Sequence, residues 1–469
     1  MINMEEKPQL EPSILTIFGI TGDLAKRKIL PSLYYLCKDN LLPDGTKVIG
    51  ISRRELDVDE IINTVRSCIV EEGNVCEPEV INRLKSWITT FKLDLTNDDD
   101  YAKLSDYLDE LEEKAGVCLD RIFYLAIPPQ VYSEIIKFLG KHKLNDSCRH
   151  GNAKTKLMIE KPFGFDVTSA EQLISDTEKV FSESQIYRVD HYLAKETAQN
   201  IIRFRQHNPL FTNNWNGKHI KHIHVISKEK IGIENRVSFY EQVGAMRDLI
   251  QNHLMQLMSL AALNVPDGLT PKEVHTAKFD FLSTLIVPSS IKDITKQAIR
   301  GQYIGYKEEV KNPHSKTETF ASLILHSSDP RWEGCSFQLT TGKALDEKLT
   351  AILIYFGQEN SNVLSFRIYP DEGIDIELVI ERPGFSHELD RIKMNFSYDQ
   401  HPSDTVRPNT SYERVLVDAI RGDKLLFASK DEVIASWRIL EPVLKYWQQE
   451  SDDLIMYPTG SKGPDTSYL

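Results

Sequence analysis

The stretch SILTIFGITGDLAKRK, residues 13–28, runs from an apolar strand pattern through two glycines into a helical pattern. A strand that turns so tightly into a helix opens a βαβ unit, which commits the start of the chain to a parallel sheet. The helix predicted over Leu24–Asp39 carries Leu30, Leu33, Tyr34 and Cys37 at helical spacing, and Val131–His142 repeats the pattern. Strands are predicted at Ser13–Gly19, Lys47–Ser52, Arg121–Ile127 and Lys156–Glu160. Beyond about Ile220 the texture changes. In IDIELVIE, residues 374–381, apolar residues alternate with acids, so one sheet face is expected to be buried and one wet. Similar runs at 220–226, 321–326, 335–341, 350–356, 363–368 and 392–396 predict a large antiparallel sheet, and helices return at 412–421 and 431–448. The expected fold class is therefore α/β followed by α+β. A Rossmann-like dinucleotide-binding domain over residues 1–190 precedes a larger α+β domain with a mostly antiparallel sheet over residues 191–469, which suits substrate binding and dimerisation.

A chain of 469 residues exceeds what one core organises, so two domains fit its length. The net charge of -13 repels polyanions and no basic, aromatic-lined stripe offsets it, so nucleic acid is not an expected partner. No apolar run reaches the ~20 residues that span a bilayer. The opening MINMEEKPQLEP is polar and acidic, unlike a signal peptide, so no membrane association and a cytoplasmic location are expected. The six cysteines Cys37, Cys68, Cys76, Cys118, Cys148 and Cys335 show no CxxC spacing and read as reduced thiols.

The glycine corner points main-chain N–H groups and a helix start at an anion. It lacks GxxxxGK[ST], so a triphosphate P-loop is not supported; Gly19, Gly22 and Ala25 form a GxxGxxA variant of the dinucleotide fingerprint. Alone, such a corner is as readily structural. The end of the second strand adds independent information: IGISRR, residues 49–54, places Arg53 and Arg54 where an NAD site carries an acid, and a guanidinium suits the 2′-phosphate of NADP. Further along, IEKPFG sets Lys161 at a strand end before a proline whose peptide bond could be cis. In RVDHYLAKE, a helix capped by Asp190 would bring His191 and Lys195 onto one face beside Tyr192, a group able to grip a phosphate. In RDLIQNHLMQLM, a lone histidine is more often a packed core residue, and on an α-helix Asp248 stands about 140° from His253, so a carboxylate orienting that imidazole must come from elsewhere. His219, His222 and His224 share a predicted strand, but no carboxylate or cysteine completes a metal site, so a solvated sheet face is expected and no metal.

Taken together, GITGDLAKRK, EKPFG, RVDHYLAKE and RDLIQNHLMQ resemble, in order, four motifs of the glucose-6-phosphate dehydrogenase family. The resemblance continues through FYLAIPP (123–129), GKAL (342–345), YER (412–414) and ASWR (435–438), over nearly the whole chain. It implies oxidation of D-glucose 6-phosphate to 6-phospho-D-glucono-1,5-lactone with NADP, the entry step of the oxidative pentose phosphate route. Carried over by position, Gly19, Thr21, Gly22, Asp23, Leu24, Lys28, Arg53, Tyr124 and Lys161 would contact the cofactor. His191, Tyr192 and Lys195 would hold the 6-phosphate, together with Lys161, and Glu234, Asp248, Lys343 and Lys348 would complete the sugar pocket. His253 would be the general base, Asp190 its orienting carboxylate and Lys161 the third catalytic group. A neutral imidazole is a suitable acceptor for the C1 hydroxyl proton as the hydride leaves. Lys348 stands where many relatives carry arginine, and Tyr369 where glutamine is common. The tail YPTGSKGP resembles bacterial members, and a homodimer or homotetramer is implied.

Overall fold

The computed structural model describes residues 10–71, 73–146, 153–357, 362–385, 387–398, 409–449 and 453–467. It divides into two compact units. The first comprises Met1–Gly164, Ser169–His191 and Asn409–Lys430; the second comprises Phe165–Thr168, Tyr192–Pro408 and Asp431–Leu469. That residues 409–430 return to the first unit is announced by no local pattern in the sequence.

The first unit is built on six parallel strands: β1 (Ser13–Phe18), β2 (Lys47–Ser52), β3 (Ile88–Lys92), β4 (Asp120–Leu125), β5 (Thr155–Glu160) and β6 (Ile186–Val189). Their order is β3-β2-β1-β4-β5-β6. This doubly wound arrangement reverses direction between β1 and β4, and ligands of such sheets sit at the carboxyl ends of the strands flanking that reversal. β1 and β5 are buried along their whole length, which is why they read as continuous apolar runs rather than alternations. Beyond Gly19 the helix opens with Asp23 and Leu24 in α-helical form and then widens. Ala25–Ile29 is wound as a π-helix, closing with the Leu30 N–H on the Ala25 carbonyl, before an α-helix continues over Leu30–Lys38.

The second unit carries nine strands: β7 (Ile220–Lys228), β8 (Ala298–Tyr303), β9 (Phe320–His326), β10 (Ser336–Gly342), β11 (Leu349–Phe356), β12 (Val363–Tyr369), β13 (Gly373–Glu381), β14 (Leu389–Ser397) and β15 (Leu454–Tyr457). Their order is β14-β13-β12-β11-β7-β10-β9-β8-β15. The sheet is mostly antiparallel, with parallel pairs only at β7–β10 and β8–β15. Ile223, Val225, Phe337 and Leu339 are buried on one face of β7 and β10, and against these strands packs the segment 246–262, which contains His253.

Two expectations for this sheet change. In β13 the fully buried side chain is an acid: Asp375 is ion-paired to Arg367 (3.0 Å) and Lys393 (2.7 Å) and accepts a hydrogen bond from Asn395. The apolar row of β13 and β14 stays open instead, with Ile380, Ile392, Met394 and Phe396 38–58% exposed. Nor are His222 and His224 solvated. His222 bonds Ser336 and Gln338, His224 bonds Thr340, and burial lowers the pKa of both, that of His224 to about 3. They are neutral members of a polar ladder on the sheet, and among the described residues no metal-ligating cluster occurs.

The helix Met255–Ala262 ends in an unusual way. Its last carbonyls are satisfied by side chains from other segments: Arg205 donates to Leu260 and Leu263, Trp215 to Ala261, and Arg331 and Trp332 to Ala262. Guanidinium and indole N–H groups thereby replace the water or glycine cap that a helix end otherwise needs. Among the described residues no helix is long and apolar enough to cross a membrane. Cys37, Cys68, Cys76 and Cys335 are free thiols, but Cys118 is disulfide-bonded, against the expectation of reduced cysteines; Cys148 lies outside the described residues.

Candidate active site

In the first unit the site begins with an absence. Gly19 adopts φ +83°, and a Cβ there would lie 2.6 Å from both the Ala126 carbonyl oxygen and Ile127 Cγ2. Only glycine fits between the ends of β1 and β4. The Gly22 N–H closes the turn on the Gly19 carbonyl at 2.8 Å. A strand end that turns this tightly into a helix start leaves main chain rather than side chains at the corner, the arrangement dinucleotide-binding folds use for a diphosphate. Thr21, Asp23 and Lys28 are exposed around the rim and Leu24 is half-buried, while Asp23 is paired with Arg27 at 2.8 Å. At the end of β2 the two arginines differ. Arg54 is taken by Glu60 in a bidentate pair, whereas Arg53 is exposed and, among the described residues, has no carboxylate within ion-pair range. Arg53 is therefore the guanidinium available to a 2′-phosphate.

Behind this rim lies a buried polar group. Tyr124, which the resemblance sets near the crevice, is fully enclosed and donates to Glu160 at 2.6 Å, so its hydroxyl supports Glu160. Burial drives the Glu160 pKa up to about 7, with Asp190 pushing the same way and Tyr124 and Lys161 opposing. The Lys161–Pro162 peptide is cis. Asp190 is buried, and the next residue, His191, lays its ring over Tyr412 at 6.0 Å. Asp190 caps no helix: residues 191–194 form a turn, the helix starts at Glu196, and Lys195 occupies the cap position. The expected helical pairing of His191 with Lys195 is thus replaced by a turn.

In the second unit the central element is Met246–Leu254, a nine-residue π-helix. Its winding overturns the 140° separation expected of Asp248 and His253. Hydrogen bonds from i to i+5 bring residues five apart nearly over one another, so the two share a face. The Asn252 side chain donates to the Arg247 carbonyl at the same spacing. Single π-turns are uncommon and gather at functional sites, and no periodicity in RDLIQNHLMQLM distinguishes this winding from an ordinary helix. At its start Gly244 has φ +69°, with Glu318 accepting from the Met246 N–H. His253 is 1% exposed, and its ring stacks on Tyr192 with centroids 4.3 Å apart. Asp248 is buried, with Arg236 3.6 Å away.

The remaining predicted residues form two groups. Lys343 is buried, paired with Glu229 and set 5.2 Å from the Tyr240 ring, whose hydroxyl is pushed up by burial and by Asp248. Lys195 and Lys348 meet at Tyr369: their ammonium groups lie 5.6 and 4.5 Å from its ring, and Lys348 donates to its hydroxyl at 2.7 Å. Lys195 is also paired with Glu372 at 3.1 Å. Glu234 stays apart, exposed, with φ +48°. Sequence reasoning missed Glu160, Glu372 and Glu318. Each acts through a partner distant in the chain, and only Glu160, inside the EKPFG motif, carried any local signal.

These observations agree with the comparisons. Residues 16–200 match the model of the glucose-6-phosphate dehydrogenase NAD binding domain, and residues 202–469 that of the C-terminal domain of the same family. The chain is 36% identical to glucose-6-phosphate 1-dehydrogenase of Chlamydia pneumoniae, covering 97% of this chain and 93% of that protein. It is 34% identical to the enzyme of Mycolicibacterium smegmatis, over 97% and 95%. A solved glucose-6-phosphate dehydrogenase in complex with its substrate glucose 6-phosphate superposes with a TM-score of 0.89 at 28% identity, over 98% of this chain and 97% of that one. The chain belongs to the glucose-6-phosphate dehydrogenase family and is an oxidoreductase that oxidises glucose 6-phosphate with NADP as its cofactor.

Proposed function

We propose that His253 is the general base of this reaction and Asp190 the carboxylate that orients it. The observation that carries this reading is the deep burial of His253 on a π-wound segment with its ring stacked on Tyr192. An imidazole so fixed takes one proton in one direction, as a base acting in step with hydride departure must. Bound NADP supplies the hydride acceptor. As the hydride leaves C1 of the already closed pyranose ring, His253 takes the C1 hydroxyl proton and the C1–O bond becomes the carbonyl of the 1,5-lactone. The carboxylate of Asp190 stabilises the imidazolium that results. Lys161 serves both ligands, and His191, Tyr192 and Lys195 hold the 6-phosphate. Asp248 and Lys343 hold sugar hydroxyls, with Lys348 and Glu234 at the margin. The cofactor is held by the corner from Gly19 to Lys28, with Arg53 at its 2′-phosphate. In this reading residues 1–190 carry the cofactor and residues 191–469 the substrate.

The test is the variant His253→Asn, assayed for NADPH formation from glucose 6-phosphate. A turnover number that stays within threefold of wild type removes His253 from the role of base.

We further propose a homodimer or homotetramer in the cytoplasm. The open apolar row of Ile392, Met394 and Phe396 is the kind of surface a second copy covers, and four of the five described cysteines, all but Cys118, are unbridged, as a reducing compartment allows. Light scattering of wild type and Met394→Lys checks the assembly: a monomer in both cases refutes it.

A further inference from the structure

Lys195 carries more than its role as a phosphate cation requires. One oxygen of Glu372 meets its ammonium at 3.1 Å, and the other accepts the Thr197 N–H at 3.1 Å, in the first turn of the helix Glu196–His207. That helix has no side-chain cap of its own, so Glu372 supplies one from the turn between β12 and β13. Both members of the ion pair are largely shielded, at 22% and 14% exposure. Lys348, on the same Tyr369 ring, has no carboxylate within ion-pair range among the described residues. Two cations therefore converge on one aromatic ring, and the carboxylate of Glu372 is already seated on Lys195 and on the helix end that an incoming phosphate would also favour.

We propose that Glu372 is a counter-anion that the phosphate of the substrate must displace from Lys195, and that it thereby sets the affinity of this site for phosphate monoesters. The inference rests on the reading of Lys195 as a 6-phosphate contact. A dianion approaching Lys195 meets one more negative charge with Glu372 in place than without it. Coulomb attraction at such separations is substantial in a shielded site and weak in water, so the exposure of the pair places the effect between these limits. Glu372 is a positioning residue that acts through Lys195. It lowers the hold on substrate and on inorganic phosphate alike, because both present the same group. The phosphate-bearing lactone is released faster for the same reason, and Tyr369 keeps Lys195 in place by a cation–π contact when the carboxylate swings away.

The experiment is a cycle of Glu372→Gln, Lys195→Ala and the double variant, with KM for glucose 6-phosphate, kcat, and the inhibition constant of inorganic phosphate measured for each. Glutamine keeps an acceptor for the Thr197 N–H, so the helix end remains capped. The expected result for Glu372→Gln is a fall of about three- to tenfold in both KM and the phosphate inhibition constant, by the same factor, as loss of a partly shielded like charge predicts. In the Lys195→Ala background the same substitution changes neither. Glu372→Asp, which shortens the reach to Lys195 but keeps the charge, gives a smaller shift in the same direction and serves if the glutamine variant does not fold. An unchanged or raised KM in Glu372→Gln overturns the proposal, as does a fall that persists without Lys195. If Lys195→Ala alone leaves KM unaltered, the phosphate contact itself is refuted and the inference falls with it, a failure this control separates from the others.

Discussion

Two π-wound segments, one in each unit, offer opposite kinds of recognition. After the glycine corner, Ala25–Ile29 buries only Ala25 and Ile29 and turns Lys26, Arg27 and Lys28 to solvent. What matters there is the main chain and the missing Cβ of Gly19. In Met246–Leu254 eight of nine residues are buried, among them Asp248, Gln251, Asn252 and His253. What matters there is side-chain chemistry held in a wider helix. A diphosphate is recognised by N–H groups that every residue possesses, so the sequence at the first segment need only stay out of the way. A proton must be taken at one atom, so the second segment must specify its side chains and then immobilise them.

The largest effect should come from the side-chain half. His253→Asn keeps size and polarity but cannot accept the proton; kcat is expected to fall by about 10² to 10⁴, the range for loss of a general base. The melting temperature should stay near that of wild type, and thermal scans beside the kinetics check that the loss is chemical. The main-chain half should respond differently. Gly19→Ala puts a methyl 2.6 Å from the Ala126 carbonyl at φ +83°, so the turn must open. KM for NADP is expected to rise at least about tenfold, as a strain of roughly 1–3 kcal/mol at this corner implies, while KM for glucose 6-phosphate changes little. Initial rates with each substrate varied in turn decide this. Equal rises in both constants would show that the corner does not act on the cofactor alone.

The rigidity of the second segment also has a source that can be removed. Arg205 is buried, lies 4.9 Å from the Trp215 ring, and donates to two terminal carbonyls of the helix that continues from His253. Arg205→Met takes the side-chain donor from the Leu260 carbonyl and leaves the Leu263 carbonyl with Arg331 alone, at 3.3 Å, and should cost about 2 kcal/mol in denaturant unfolding. A loss under about 1 kcal/mol would mean that water or Arg331 takes over the cap, and that the helix end is not fixed by this residue.

Much of this contrast was legible in the sequence, though not its mechanics. β1, β2, β4 and β5 follow from continuous apolar runs beside helical periodicity, and β7 and β9 to β14 from alternation. β3 and β6 were missed because ITTFK and IYRV are short and carry polar residues inside a sheet; Arg188 is buried in β6 by its pair with Glu183. β15 is a four-residue edge strand, and β8 beside it is buried throughout yet reads AIRGQY, with arginine, glycine and glutamine breaking any apolar pattern. The glycine corner was readable because a tight turn restricts residue type. The π-winding was not, since adding one residue to each turn leaves an apolar, polar-studded run looking like any buried helix. Arg54 shows the limit of local reading: two adjacent arginines look alike until Glu60 takes one of them.

One carboxyl qualifies the division between main-chain and side-chain recognition. Glu160 lies in the first unit, closed in by Tyr124 from β4, Tyr132 from the following helix, Tyr412 from the returning segment, and its neighbours Lys161 and Asp190. Desolvation raises its pKa from 4.5 to about 7, and Asp190 adds to this. Between those values the folded protein keeps a proton that the unfolded chain has already released, so stability falls as pH rises from about 4.5 to about 7 and levels off beyond. Glu160→Gln removes this loss. Relative to wild type it should gain on the order of 2 kcal/mol between pH 5 and pH 8, measured by denaturant unfolding at both. Parallel unfolding curves at the two pH values would mean that Glu160 is ionised throughout. In that event the first unit would hold a permanent buried charge beneath Lys161, and side-chain electrostatics would govern its half of the site as well.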